Sequence, residues 1–279
     1  MNHRELIATL TPQVGAGEAR AIVRLVMEER FGLSQTDLLL GKDNALSAND
    51  RTELEKIASR LLQGDPVQYV LGYEHFCGHR VRVTPDVHIP RPETEELVQW
   101  AVDTLPSEAL FLDLCTGSGC IAISLALAFP EAHVVGVDIS EAALDVARNN
   151  AEDLGTQNVE FLKHDILSSQ PLHLGEPCAV IVSNPPYVRH SEAAAMSRIV
   201  LDHEPTIALF VPDADPLCFY RAIARIAHQV LRPKGMVMVE INSALGDETK
   251  QLFAQHGFED VQLRCDQFNR PRFIRAAKA

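Results

Sequence analysis

The residues with the clearest chemistry are Asn184-Pro185-Pro186-Tyr187, which follow the apolar run Ala179-Val180-Ile181-Val182. Two consecutive prolines fix φ and supply no backbone N–H, so the chain must leave a sheet there. Asn184 precedes a proline and is biased toward extended geometry. Its side chain offers an acceptor oxygen and two donor hydrogens, and Tyr187 adds an aromatic face. An amide, a carbonyl and an aromatic plane in one short turn suit a planar substrate nitrogen that bears its own N–H donors. As a bare tetrapeptide the motif also describes a tight loop in which Asn caps a turn and the prolines stop a strand.

A second constellation lies upstream. Phe111-Leu112-Asp113-Leu114 reads as a buried strand, Cys115-Thr116-Gly117-Ser118-Gly119 as a turn, and Cys120 to Phe129 as an apolar helix that Pro130 stops. A glycine turn from strand into helix lets backbone approach a ligand closely and aims helix N–H groups at it. The next strand, His133 to Val137, ends in Asp138, about 20 positions past the glycines, where a carboxylate can bind ribose hydroxyls. This much fits a dinucleotide as well as S-adenosylmethionine. Three details favour the latter. Asp113 would repel a pyrophosphate but attracts a sulfonium and an ammonium. Ala122 stands where the third glycine of the dinucleotide fingerprint often falls. Asp165 ends a third strand, Val159 to His164, where it can accept the adenine amino group beside apolar Ile166.

These motifs together resemble the PrmC/HemK family, the glutamine-N5 methyltransferases of peptide-chain release factors. The resemblance extends to Pro66-Val67-Gln68-Tyr69-Val70-Leu71-Gly72, to Ile89-Pro90-Arg91-Pro92-Glu93-Thr94-Glu95, and to His203-Glu204-Pro205 with Ala208-Leu209. It covers nearly the whole chain and is weakest over residues 1–60. It implies a Rossmann-like class I methyltransferase with a mostly parallel seven-stranded sheet, and a small all-helical N-terminal domain joined by a β-hairpin linker. The implied substrate is the glutamine of the Gly-Gly-Gln loop in class 1 release factors. The cofactor set would be Asp113, Cys115, Thr116, Gly117, Ser118, Gly119, Asp138, Asp165, Ile166 and Asn184. Asn184, Pro185 and Tyr187 would be catalytic, with Pro186 completing the substrate corner, and no metal is expected. Two positions depart from the pattern. Cys115 stands where glycine is usual, which demands a negative φ or strain of about 1 kcal/mol, and its thiol is a candidate for alkylation. Asn242 also replaces a glycine and is expected to keep the turn by tolerating left-handed backbone.

The elements that must position these residues follow from length and patterning. The 279 residues suit one or two domains. Residues 1–75 show helical patterns only: Arg4–Leu10, Glu18–Phe31, Thr36–Leu40 and Ala48–Leu62. Ser34 and Ser47 are expected N-caps and Gly32, Gly41 and Gly64 expected C-caps. Leu54, Ile57, Ala58, Leu61 and Leu62 form a core stripe. This bundle is read as a substrate-recognition domain. Residues 76–90 are read as the linker, a hairpin of Val81, Val83 and Val87 around Thr84-Pro85-Asp86, and residues 91–279 as the methyltransferase domain. There a helix starts at Pro92, and strands near 110, 134, 160, 180 and 237 alternate with helices, which implies a parallel doubly wound sheet. Asp260–Leu263 and Arg272–Ile274 lie too close for a helical crossover and suggest an antiparallel edge pair.

Charge narrows the partners. The net charge is −13; residues 1–90 carry 10 basic and 12 acidic side chains, residues 91–279 carry 15 and 26. An acidic catalytic half disfavours stable nucleic-acid binding, which rests on phosphate neutralisation, and favours a basic protein surface. The longest apolar stretch is short of a membrane span. The N-terminus lacks a signal peptide's pattern, and six cysteines without disulfide or zinc spacing read as reduced thiols of a cytoplasmic protein.

The expected mechanism follows from the nucleophile. A carboxamide nitrogen is poor because its lone pair is delocalised. The Asn184 side-chain oxygen and the Pro185 carbonyl are expected to accept both its N–H groups while Tyr187 stacks on or walls the amide, aligning the nitrogen for direct displacement. The motif offers no general base, so the proton leaves to water. From residues alone the substrate is an amide or amino nitrogen. An adenine-N6 or cytosine-N4 nucleic-acid methyltransferase stays open, as do a non-catalytic cofactor-binding scaffold and a dehydrogenase.

Overall fold

Helix boundaries near the N-terminus are set by side chains that capture otherwise free backbone N–H groups. The computed structural model, which describes residues 1–104 and 110–279, contains α1 (His3–Val14), α2 (Ala16–Phe31), α3 (Gln35–Leu39), α4 (Ala48–Leu62) and α5 (Val67–Leu71). Asn2, Ser34 and Ser47 each accept the N–H three residues on, and that residue's carboxylate bonds back to the cap. Gly32 ends α2 with a left-handed φ of 65°. α4 has the expected bounds, whereas α1 runs past Leu10 and continues through Pro12, which supplies no N–H to the helix. Leu6, Leu10, Val23, Val26, Met27, Leu54 and Ala58 form the core of this unit. Met1–Tyr73 and Ser197–His203 make up this compact unit; Glu74–Met196 and Glu204–Ala279 make up a second.

A hairpin follows α5, with β1 (Tyr73–Phe76) paired to β2 (His79–Arg82). Its two-residue turn is Cys77-Gly78, with φ of 48° and 79°, the positive pair that right-twisted hairpins require. The expected turn at Thr84-Pro85-Asp86 is a separate bend after β2.

The second unit continues through α6 (Pro92–Thr104), β3 (Leu110–Leu114), α7 (Cys120–Ala128), β4 (His133–Asp138), α8 (Glu141–Asp153), β5 (Val159–Lys163) and β6 (Cys178–Ser183). Then come β7 (Val188–Arg189), α9 (Arg198–His203, in the first unit), β8 (Phe210–Val211), α10 (Cys218–Val230), β9 (Leu231–Glu240), α11 (Gly246–Gln255), β10 (Phe258–Cys265) and β11 (Pro271–Lys278). The seven-stranded sheet has the order β10-β11-β9-β6-β3-β4-β5. β9, β6, β3, β4 and β5 run parallel, while β11 is antiparallel to both β9 and β10. The expected edge pair is therefore present.

Alternation along the strands splits the core in two. Leu110, Leu112 and Leu114 face α10 and α11 in one cluster, with Tyr220, Ile223 and Phe253. Phe111 faces α6 and α7 in the other, with Leu97, Trp100 and Ile121. The expected alternation of strand and helix fails once. β5 reaches β6 through residues 164–177 without a helix, because Pro171, Gly175 and Pro177 interrupt every helical window there. The short β7–β8 pair, with Val188 opposite Phe210, was not foreseen.

Candidate active site

The site is built where parallel strands end. β3 and β6 are neighbours in register, with Leu114 opposite Ser183, and the Ser183 hydroxyl donates to the Leu114 carbonyl at 2.6 Å. The next residues, Cys115 and Asn184, therefore start the glycine loop and the Asn-Pro-Pro-Tyr corner from adjacent strand ends at one level of the sheet. Ligand sites of doubly wound sheets lie at this carboxyl edge.

Asp113 braces the glycine loop from beneath. It is fully buried, and its Oδ2 accepts the Thr116 hydroxyl at 2.6 Å and the Ala122 N–H at 3.1 Å. Its Oδ1 is enclosed without a hydrogen-bond partner among the described residues. Burial pushes its carboxyl up to about 7, opposed by those two bonds and reinforced by the nearby charge of Asp138. Cys115 adopts a φ of 61°, so the cysteine occupies the left-handed region that its usual glycine would, at the cost of strain. Burial, followed by the charges of Asp138 and Asp113, holds its thiol well above the ordinary range. That opposes the expected sensitivity to alkylation, because the thiolate is the reactive form.

The two loop glycines serve different ends. A Cβ on Gly119 (φ 79°) would meet Ala147 Cβ and Ile123 Cδ1 at 3.0 Å and Phe161 Cζ at 3.2 Å, so this glycine lets the loop pack onto its own scaffold. A Cβ on Gly117 (φ 55°) would meet nothing within 4 Å, so its bare face borders open space. Ser118 and Thr116 are buried.

Asp138 ends β4 and ties the loop to it. Its Oδ2 accepts the Gly117 N–H at 2.9 Å and its Oδ1 the Ser140 N–H at 2.9 Å; burial raises its pKa against these bonds. Asp165 lies two residues beyond β5, which stops at Lys163, and its Oδ1 accepts the Leu167 N–H at 2.9 Å. Ile166 is buried in the sheet core rather than open to the edge, whereas Ile139, directly after β4, and Leu167, in the turn after β5, are exposed large apolar residues.

The Asn184 corner is held by residues far away in sequence. Asn184 Nδ2 donates to Thr94 Oγ1 at 3.0 Å, the Thr94 hydroxyl donates to Glu240 Oε2 at 2.7 Å, and the Tyr187 hydroxyl donates to Glu240 Oε1 at 2.9 Å. Thr94 lies in the first turn of α6 and Glu240 ends β9. Burial raises the Glu240 pKa, opposed by its bonds to Thr94 and Tyr187 and by the positive charge of Arg272. Burial and the Glu240 charge hold the Tyr187 phenol well above its ordinary range, so it stays protonated. Asn242 is extended (φ −64°, ψ 121°) rather than left-handed. Its side chain accepts the Ala244 N–H and donates to the Tyr187 carbonyl and to Glu192, which pins the corner from its far side.

The resembling segments also meet. Glu204, 4% exposed, accepts the Ile89 N–H at 3.2 Å and ion-pairs with Arg91 and His88. This locks Ile-Pro-Arg-Pro to His-Glu-Pro directly before α6, which carries Thr94. Thus the structure brings Asp113, Cys115, Thr116, Gly117, Ser118, Gly119, Asp138, Asn184, Pro185, Pro186 and Tyr187 to one edge of the sheet. It leaves Asp165 in a turn beside that edge and Ile166 within the core. Thr94 lies in the resembling segment Ile89–Glu95, but nothing local assigned it or Glu240 to the site.

The parallel sheet with an antiparallel last pair, the glycine turn into a buried helix and the acids Asp113 and Asp138 at the ends of neighbouring strands define a class I methyltransferase that uses S-adenosylmethionine. The residues fit that cofactor: Asp113 and Asp138 on adjacent strands, with Asp165 in the turn after β5, suit a cation, Asp113 Oδ1 lacks a partner among the described residues, and Gly117 borders open space. Residues 5–72 match the PrmC N-terminal domain and residues 106–277 a methyltransferase domain. A release factor glutamine methyltransferase of Bacteroides thetaiotaomicron is 45% identical over 259 residues, covering 93% of this chain and 92% of its own. One of Flavobacterium psychrophilum is 38% identical over 263 residues, covering 92% and 91%. The crystal structure of a methyltransferase from Pyrococcus furiosus shares the fold, with a TM-score of 0.51 at 16% identity over 84% of this chain and all of that one. The chain belongs to the release factor glutamine methyltransferase family.

Proposed function

We propose that this chain methylates the side-chain amide nitrogen (N5) of the glutamine in the Gly-Gly-Gln motif of class 1 peptide-chain release factors. One observation carries the reading: the amide corner and the glycine loop leave adjacent strands at the register pair Leu114–Ser183, so an amide held at one lies beside a cofactor held at the other. Asp113, Cys115, Thr116, Gly117, Ser118, Gly119, Asp138 and Asp165 hold S-adenosylmethionine, which supplies an electrophilic methyl on a sulfonium. Ile166 serves this group only from beneath, through packing. Asn184 Oδ1 and the Pro185 carbonyl accept the two N–H groups of the glutamine amide. That raises the electron density on the nitrogen and fixes its position, with one face turned to the methyl donor. Tyr187, held by Glu240, walls the amide and excludes water.

The acidic second half of the chain supports a protein partner over nucleic acid. The helical unit, which exposes Leu39 and Leu40, serves substrate recognition. No helix among the described residues is long and apolar enough to cross a membrane, and all six cysteines are free thiols, which supports a reducing, cytoplasmic setting.

The test is methyl transfer from labelled S-adenosylmethionine to a purified class 1 release factor, beside a copy whose Gly-Gly-Gln glutamine is alanine and a DNA control. Label on the intact factor alone is the expected result. Label on DNA, or on both factors equally, overturns it. Asn184→Ala should lower kcat on the order of 100-fold or more with cofactor affinity intact.

A further inference from the structure

Asn184 can serve as an acceptor only if its amide oxygen, rather than its nitrogen, faces the substrate. An asparagine side chain is almost symmetric in shape, so sterics alone do not choose between the two orientations. The choice comes from the buried chain Tyr187–Glu240–Thr94–Asn184. Glu240 is 1% exposed and Thr94 2%, and an enclosed carboxylate costs stability unless donors satisfy it. Two hydroxyls do so: Thr94 on Oε2 and Tyr187 on Oε1. A carboxylate is acceptor-only, and a threonine hydroxyl has a single proton. Once that proton is directed to Glu240, the Thr94 oxygen can only accept. It takes the Asn184 Nδ2–H at 3.0 Å, which turns Oδ1 outward. A flipped Asn184 would set its oxygen against the Thr94 lone pairs and its N–H groups against those of the substrate.

We propose that Glu240 and Thr94 are positioning residues that lock Asn184 as a hydrogen-bond acceptor and so select a primary amide over a carboxylate or hydroxyl at the methyl-accepting position. The proposal rests on the reading of Asn184 as the amide-binding residue. The two groups turned toward the substrate amide, Asn184 Oδ1 and the Pro185 carbonyl, are both acceptors, and neither can donate to a glutamate side chain. Glutamate would meet oxygen with oxygen, and a site of fixed polarity discriminates strongly against such a mismatch. The long sequence separations, 146 positions for Thr94–Glu240 and 90 for Asn184–Thr94, mean that the lock forms only when α6, β6 and β9 are all in place.

Three measurements test the lock. Thr94→Val keeps the shape and removes the hydroxyl, while Thr94→Ser restores it. Valine should lower kcat on the order of 10- to 100-fold, the effect of a misplaced reacting group, with cofactor affinity little changed and a lower melting temperature, because buried Glu240 loses a donor; serine should recover most of both losses. In an Asn184→Ala background the valine substitution should cost nothing further, because the residue acts through Asn184. A near wild-type Thr94→Val enzyme, or an undiminished penalty in the Asn184→Ala background, overturns the lock. The unmodified protein gives an independent reading that survives any folding failure of the variants: the Asn184 side-chain amide protons should show nuclear Overhauser contacts to the Thr94 side chain. Contacts to other groups, with none to Thr94, would place the oxygen toward Thr94 and refute the proposal. If Asn184→Ala itself turns over normally, the amide-binding reading fails instead, and the Overhauser contacts still decide the orientation separately.

Discussion

Asp113→Asn should make the cofactor-free protein more stable, and increasingly so as pH rises. In the folded chain the carboxyl is pushed up to about 7 from 3.8, chiefly by burial. The unfolded chain therefore loses this proton near pH 4, while the folded chain keeps it to about pH 7. Between those values the folded state binds more protons, so its stability falls as pH rises. The shift of about three units, at about 1.4 kcal/mol each, makes the loss roughly 4 kcal/mol above pH 7. Asparagine cannot ionise; its oxygen can still accept from Thr116 and Ala122. Removing the charge also relieves Asp138, which acts in the same direction. Urea unfolding at pH 5, 6, 7 and 8, followed by Trp100, suits the measurement. Trp100 is the single tryptophan and lies on α6, so its emission reports the second unit. The gap between variant and wild type should widen by a few kcal/mol across that range. Parallel lines would mean that Asp113 titrates normally and that its burial costs the fold little. If Asp113 holds the cofactor as proposed, the same substitution should weaken S-adenosylmethionine binding, since it removes an acid from the proposed site.

Other substitutions separate scaffold from site. Gly119→Ala should destabilise the fold by about 1–3 kcal/mol, from contacts at 3.0 Å and a positive φ, read as a drop in urea midpoint. Gly117→Ala meets open space, so it should cost about 1–2 kcal/mol of strain and show its larger effect in cofactor titration. With iodoacetamide at pH 8, peptide mapping should find exposed Cys265 modified first and Cys115 spared, because burial and two carboxylates keep the Cys115 thiol protonated. Glu204→Ala strands His88 and Arg91 and should cost about 3–5 kcal/mol, measured by the same Trp100 transition.

What the sequence carried plainly was whatever a short window could encode. The glycine turn, the strand-end acids Asp113 and Asp138, and the Asn184 corner each declare their geometry through neighbours in the chain. Ser34, Ser47 and the ends of α4 were legible for the same reason. The Asn184 lock was not, because Thr94 and Glu240 acquire meaning only across 146 positions of chain. The hairpin turn was misplaced because Thr84-Pro85-Asp86 is the stronger local signal, whereas Cys77 takes a positive φ that cysteine rarely adopts. A similar substitution hides at Cys115. Asn242 differs: it replaces an expected glycine by bonding three groups, rather than by copying a glycine's backbone.

The helical unit is not a contiguous stretch of chain. Ser197–His203 belongs to it, and the His203 ring lies 3.5 Å from Asp65 and within 3.4 Å of a Cβ placed on Gly64. A gene fragment that stops at residue 73 would therefore encode the bundle without the short helix whose His203 lies against Asp65 and Gly64. The complementary fragment would carry an orphaned turn of helix just downstream of Asn184. Dissection of binding from catalysis in this chain calls for point substitutions on the helical surface, since no single cut yields two finished pieces.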